Sequence, residues 1–191
     1  MATPSQHDRT TNCLIVGVGA SAGGLAAFKT LFSLLPPDAA MAFVLVQHLD
    51  PDHSSMLVEL LRPHSSMPIV EAEDGMSVVR DHVYVIPPNS TLTIDGRVLR
   101  VARPAPTRAQ RRPIDTFFCS LAEQQGECAI AVVLSGVGSD GSLGVRSIKE
   151  HGGFTLAQAE FNHEAMLGMP SSAAATGLVD HVVPIEAMTE R

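Results

Sequence analysis

The sequence has little with which to cross-link itself. Its three cysteines, Cys13, Cys119 and Cys128, are odd in number and show no C-x-x-C spacing. That argues against a disulfide framework and fits a reducing compartment. Cys13 opens an apolar run and Cys119 falls in a helical pattern, so both read as small buried hydrophobes. Long apolar stretches are missing too. The longest, such as Met41–Val46 and Ala129–Leu134, are strand-sized and fall far short of the ~20 residues a membrane span requires. Met1–Thr11 is polar, with no apolar run after its few charges, so no secretory signal is expected. A cytoplasmic protein with no membrane insertion is the expectation.

Positive charge is in deficit as well. Thirteen basic against 20 acidic residues give a net charge of −7, which argues against nucleic acid as the main partner. The exception is local: Arg97, Arg100, Arg103, Arg108, Arg111 and Arg112 fall within one short stretch. Such a strip suits an acidic partner and suits equally well a solvated hairpin and loop.

What is present is an ordinary globular composition, 45% hydrophobic and 17% charged. Its length allows one domain with a full core. Residues 1–11 read as a disordered tail and 12–191 as the domain. Short apolar runs of buried-strand type at Cys13–Val18, Met41–Val46 and Ala129–Leu134 alternate with helical patterns near 25–35, 54–62, 113–125 and 142–151. Further strands are expected at Phe154–Ala157 and near Val179–Val183, with a short helix begun by Pro170 between them. In the middle, His82–Ile86, Thr91–Ile94 and Arg97–Val101 alternate as strands do, and Asp95-Gly96 signals a type I′ hairpin. The fold class is therefore α/β: a mostly parallel sheet covered on both faces, with an added antiparallel hairpin.

Ligands of such sheets bind beyond the carboxyl ends of the strands. Three strands carry a reactive side chain there: Ser21, His48 and Asp140. These are the types acyl transfer needs, a nucleophile, a base and a carboxylate that orients the base. Gly19-Ala20-Ser21-Ala22-Gly23 matches G-x-S-x-G, which projects a serine from a tight strand-to-helix turn. The helix start that follows offers N–H donors to an oxyanion. Ser21 as a plain helix cap is the competing reading. The stretch Gly17-x-Gly19-x-x-Ala22 also fits a dinucleotide fingerprint, but Gln47-His48 stands where that reading wants an acidic residue. With 20 residues before Ser21 and the order Ser, His, Asp, the chain is no ordinary α/β-hydrolase. His48, Asp50, Asp52 and His53 are too unspecific for a metal site, and His163 and Glu164 fall in a polar loop that could line the cleft.

Seven separated motifs then stand in one order: IVGVGASAGG (15–24), VQHLDPDH (46–53), VEAEDG (70–75), VYVIPPN (83–89), RRPIDTFF (111–118), VLSGVGSDG (133–141) and LGMPSSA (167–173). Over roughly 12–187 the chain resembles the catalytic domain of CheB-type chemotaxis methylesterases. In the 46–89 region its wording is closest to members fused to a methyltransferase. The resemblance implies a three-layer α/β/α Rossmann-like fold and hydrolysis of γ-glutamyl methyl esters on methyl-accepting chemotaxis receptors. It implies deamidation of certain receptor glutamines as a companion activity, with no metal or cofactor. It puts the triad on Ser21, His48 and Asp140, and oxyanion or substrate contacts on the backbone near Ala22 and Val137. Ala22 and Val137 depart from the Thr and Met that are usual there. Partners implied are methylated receptor helices and, fused or separate, methyltransferase and receiver domains. A receptor-docking or regulatory module without catalysis, and a nucleotide-binding domain, are the alternatives from other classes.

Overall fold

Seven strands lie in one parallel sheet of a computed structural model that describes residues 14–21, 23–47, 56–102, 112–159 and 168–190. In chain order they are β1 (Leu14–Ala20), β2 (Met41–Gln47), β3 (Ile69–Glu71), β4 (Val83–Val85), β7 (Ala129–Val133), β8 (Phe154–Gln158) and β9 (His181–Val183). Their order across the sheet is β3-β4-β2-β1-β7-β8-β9. Two further strands, β5 (Thr91–Asp95) and β6 (Val98–Ala102), pair antiparallel in a separate small sheet. The helices are α1 (Gly24–Leu34), α2 (Leu57–Leu61), α3 (Pro113–Gln125), α4 (Ser142–Glu150), α5 (Met169–Ala174) and α6 (Ile185–Met188). Among the described residues, none of these is long and apolar enough to cross a membrane.

The near-continuous apolar runs of β1, β2 and β7 follow from burial on both faces. On one face Val16, Val18, Phe43 and Leu45 pack with Phe28 and Phe32 of α1, Leu57 and Leu61 of α2, and Ile185 and Met188 of α6. On the other, Ile15, Val44, Val46 and Val133 pack with Phe117, Phe118 and Leu121 of α3, Val145 and Ile148 of α4, and Met169 of α5. The three layers expected from the resemblance are therefore present.

The middle of the chain is less simple than the sequence reading. β4 joins the parallel sheet beside β2, and β3 extends it to the edge. The hairpin stands apart and packs Leu92, Ile94 and Leu99 into the core on the α3 side. Its register is shifted by one residue from expectation: Asp95 pairs with Val98, leaving Gly96-Arg97 as the turn. Only Gly96 of these two has positive φ, at 55°, which suits a type II′ turn better than the I′ turn expected at Asp95-Gly96.

Gly17 and Gly19 face α3. A Cβ at Gly17 would lie 2.8 Å from Phe118 Cε1, and one at Gly19 would lie 2.5 Å from Ile114 Cγ2. The space that a dinucleotide fingerprint would leave for pyrophosphate is filled by helix side chains. Gly19→Ala is accordingly expected to lower stability by about 1–3 kcal/mol, the usual cost of overpacking. Urea unfolding of parent and variant measures it, and an unchanged midpoint would show that α3 does not need this glycine.

Candidate active site

The order in which strands are added to the sheet reverses at β1. From there the chain passes by α1 to β2 on one side, while β7 flanks β1 on the other. Crevices above such a switch point collect the segments that leave the strand ends. Ser21 leaves β1 directly, at the level where Ala20 pairs with Gln47 of β2. Its N–H donates to Ser135 O at 3.0 Å, and its carbonyl accepts from Gly24 N at 2.9 Å and from Gln47 Nε2 at 3.4 Å. The turn is thus pinned to both neighbouring strands. Gly23, with φ 82°, is the N-cap of α1, and no side chain caps that helix. Ser21 is therefore not the helix cap, and its half-buried hydroxyl is free of that duty.

The loop after β7 passes close to Ser21. A Cβ on Gly136 would sit 2.8 Å from Ser21 Cβ and 2.5 Å from Met169 Sδ, so only glycine lets the two backbones approach this closely. The loop is held from several sides. Gln158 Oε1 at the end of β8 accepts from Ser135 N and Oγ, at 2.9 and 2.8 Å. Met169 N donates to Gly136 O at 2.8 Å, and Ser172 Oγ donates to Gly138 O at 3.0 Å. Val137 forms an isolated bridge with Gly168 and leaves its side chain 75% exposed.

Asp140 ends this loop and is 6% exposed. Its carboxylate does not cap the α4 helix that follows it, whose N-cap is Gly141. It turns to α3 instead: Oδ2 accepts from Ile114 N at 3.1 Å, and Oδ1 from Asp115 N at 2.9 Å and Gly141 N at 3.0 Å. The positive end of α3 therefore rests on a carboxylate from another segment, an arrangement that stabilises both.

Asp115 completes the arrangement and was not singled out by the sequence reading. It is 5% exposed. Its Oδ1 accepts from Gly144 N in the first turn of α4 at 2.9 Å, and its Oδ2 lies 3.3 Å from Arg112 Nε. Arg112 also reaches across to Ser139 Oγ at 2.9 Å. An acidic residue in the first turn of a helix is ordinarily a solvated one, so the sequence carried no sign of its burial. Gln47, at the end of β2, was likewise missed. Its Nε2 braces the Ser21 turn, while its Oε1 is buried with no hydrogen-bond partner among the described residues.

The structure thus brings Ser21, Val137 and Asp140 to one end of the sheet. His48 and Ala22 lie outside the described residues, as do the tail 1–11, Arg103, Arg108, Arg111, His163 and Glu164. The described members of the arginine strip are engaged within the chain: Arg97 with Gln125, Arg100 with Asp95, and Arg112 with Asp115 and Ser139. Beside the Ser21 turn, a cavity of about 330 Å³ opens between Gly23 and Ala26 of α1, Ser135, Gln158 and Ile185.

Burial pushes the Asp115 carboxyl above the ordinary carboxylate range. The neighbouring Asp140 charge adds to the rise, while the Gly144 N–H and the Arg112 guanidinium oppose it. Between the ordinary and the raised value, the folded chain keeps a proton that the unfolded chain releases, so stability falls as pH rises through that window. Asp115→Asn removes this contribution. Urea midpoints followed upward from the ordinary carboxylate range should move in the variant's favour with rising pH, and parallel curves would contradict it.

Comparison with known proteins agrees with this architecture. The family model for CheB methylesterase matches residues 16–191. A protein-glutamate methylesterase/protein-glutamine glutaminase of Xanthomonas campestris is 36% identical over 96% of this chain. One from Photorhabdus laumondii is 35% identical over 93% of it. The chain spans about half the length of each, 51% in both cases. A 104.1 kDa uncharacterized protein of Rhodobacter capsulatus is 45% identical over 68% of this chain, a stretch that makes up 13% of that protein. The crystal structure of the Thermotoga maritima CheB methylesterase catalytic domain superposes with a TM-score of 0.83 at 29% identity, covering 94% of this chain and 97% of that one. By its sequence and by its fold, the chain belongs to the CheB methylesterase family.

Proposed function

We propose that this chain hydrolyses γ-glutamyl methyl esters on the cytoplasmic helices of methylated chemoreceptors, releasing methanol, with Ser21, His48 and Asp140 as its catalytic triad. The observation that carries this reading is the order β2-β1-β7 at the centre of the sheet. Parallel neighbours lie only ~4.8 Å apart, so segments leaving these three strand ends share one crevice. Ser21 follows β1, Asp140 ends the loop after β7, and His48 is the residue after Gln47, where β2 stops.

In this mechanism neutral His48 takes the Ser21 proton as the serine oxygen attacks the ester carbonyl. The oxyanion that forms is met by backbone N–H groups near Ala22 and Val137. His48 returns the proton to the leaving methoxide, methanol departs, and water hydrolyses the acyl-enzyme by the same route. Asp140 holds the imidazole tautomer and balances its charge. The same acyl chemistry on a glutamine side chain expels ammonia, which is the deamidation that the relatives' names describe. Receptor helices with methylated glutamates place the chain in the cytoplasm. The matched stretch makes up 13% of the 104.1 kDa relative and 51% of the Xanthomonas one, so both have length for further domains; a methyltransferase or receiver, fused or separate, is the partner the resemblance implies.

Two observations weigh against the competing classes. A docking module without catalysis has no use for a serine hydroxyl in a pinned turn that caps no helix. A nucleotide-binding domain needs open backbone at Gly17 and Gly19, where Phe118 and Ile114 stand.

Ser21→Ala is expected to leave the unfolding midpoint unchanged and to abolish methanol release from methylated receptor membranes. Most of the parental release from a folded variant would remove Ser21 from the mechanism. Asp140→Asn should cost turnover on the order of 10³–10⁴-fold, by analogy with serine proteases. Stability should also drop by about 1 kcal/mol, because the amide nitrogen must face one of the N–H groups of α3. Turnover within twofold of the parent would leave Asp140 as a helix cap alone.

A further inference from the structure

Asp140 and Asp115 are linked crosswise. Asp140 comes just before α4, yet it receives the first-turn N–H groups of α3. Asp115 belongs to the first turn of α3, yet it receives a first-turn N–H of α4, from Gly144. The segment leading into α4 therefore supplies a carboxylate to α3, and α3 supplies one to α4. Arg112 closes the arrangement by pairing with Asp115 and donating to Ser139, the neighbour of Asp140. The packing beneath leaves little slack. A Cβ on Gly144 would stand 2.4 Å from Phe118 Cβ, and one on Gly141 would stand 3.1 Å from Ile114 Cγ2.

A buried carboxylate next to another is an unfavourable choice for stability alone. Burial and the Asp140 charge both oppose ionisation of Asp115, and apolar groups would fill the same space without that penalty. A carboxylate can nevertheless accept a directed N–H hydrogen bond on one oxygen, here from Gly144, while its charge attracts the Arg112 guanidinium at the other. Groups of this kind, which lock the residues that perform chemistry, belong to preorganised sites.

We propose that Asp115, held by Arg112, is a positioning residue for catalysis: by fixing the first turn of α4 against that of α3, it sets the place and direction of the Asp140 carboxylate. This rests on the triad reading above, since a carboxylate with no catalytic duty has no need of placement. Misplacement of a reacting group by about 1 Å costs on the order of 10²-fold, and loss of one brace of several should cost less.

The test measures the labelling rate of Ser21 by a fluorophosphonate, which reports the chemical step without receptor docking, beside methanol release from methylated receptor membranes. Asp115→Ala is expected to label about tenfold more slowly, with kcat reduced in parallel and KM unchanged. Asp115→Asn keeps an oxygen for Gly144 N but gives up the charge that pairs with Arg112, so it should label faster than Asp115→Ala and no more slowly than Arg112→Ala. Arg112→Ala, at an exposed position, should fold regardless and label roughly three- to tenfold more slowly. Because both residues act through Asp140, neither substitution should slow Asp140→Asn more than twofold further.

Parental labelling rates in Asp115→Ala and Arg112→Ala, while Asp140→Asn is crippled, would overturn the positioning role and leave the triad standing. So would losses that multiply with that of Asp140→Asn, or an Asn variant as slow as the Ala variant. A rise in KM at constant kcat for Arg112→Ala would make it a receptor contact instead. Full activity in Asp140→Asn would remove the triad reading itself.

Discussion

The close approach of α3 to β1 is the contact on which the site depends. Beyond Ile15, Gly17 and Gly19 leave no side chains on the α3 face of the central strand, and Phe118 and Ile114 fill that space. Ile114 lies over Gly19 near the strand's end, and Phe118 lies over Gly17 deeper in. α3 therefore runs antiparallel to β1 and carries its N-terminal turn to the edge where Ser21 emerges. Three fully buried side chains of the helix, Ile114, Phe117 and Phe118, fix this position. Burying a side chain of this size contributes about 1.5–3 kcal/mol, so the helix cannot easily slide.

From that position follows the electrostatics of the crevice. The first turn of any helix presents unpaired N–H groups and a partial positive charge. Here those groups are met by Asp140, arriving from the loop after β7. One carboxylate is thus fixed by backbone donors whose place is set by apolar packing. The N-terminal turn of α1, on the far side of Ser21, has no side-chain cap among the described residues, which is compatible with the oxyanion contacts of the proposed mechanism. The two helix starts thus differ: that of α3 is met by a protein carboxylate, and that of α1 has no side-chain cap among the described residues.

The loop of residues 135–141 is irregular, yet it is tied to β8, α3 and α5 by named hydrogen bonds. Its glycines serve distinct ends. Gly136 permits contact with Ser21, while Gly138 and Gly141 adopt φ of 97° and 95°, which other residues rarely reach. The G-x-G-x-D-G spacing is therefore the local requirement of a loop that must turn sharply twice and still deliver one carboxylate to a neighbouring helix.

Much of this was legible in the amino-acid order. Apolar runs of strand length, separated by amphipathic stretches, determine a parallel sheet with helices on both faces, because only that arrangement buries both sides of such strands. The bounds of α3 were readable to the residue, since Pro113 and Gly126 end it by local stereochemistry. Ser21 and Asp140 were readable as strand-end residues in glycine-rich turns. The hairpin was readable in kind but slipped by one residue, because the turn chemistry of Asp95-Gly96 and Gly96-Arg97 differs little while packing on α3 decides the register. Only tertiary structure could show that Gly17 and Gly19 make room for a helix and not for a phosphate. Likewise, only the fold decided that Asp140 receives α3 and that Asp115 is buried against α4. Those facts concern residues about 25 positions or more apart, brought together by the burial of apolar faces and not by any local preference of the chain.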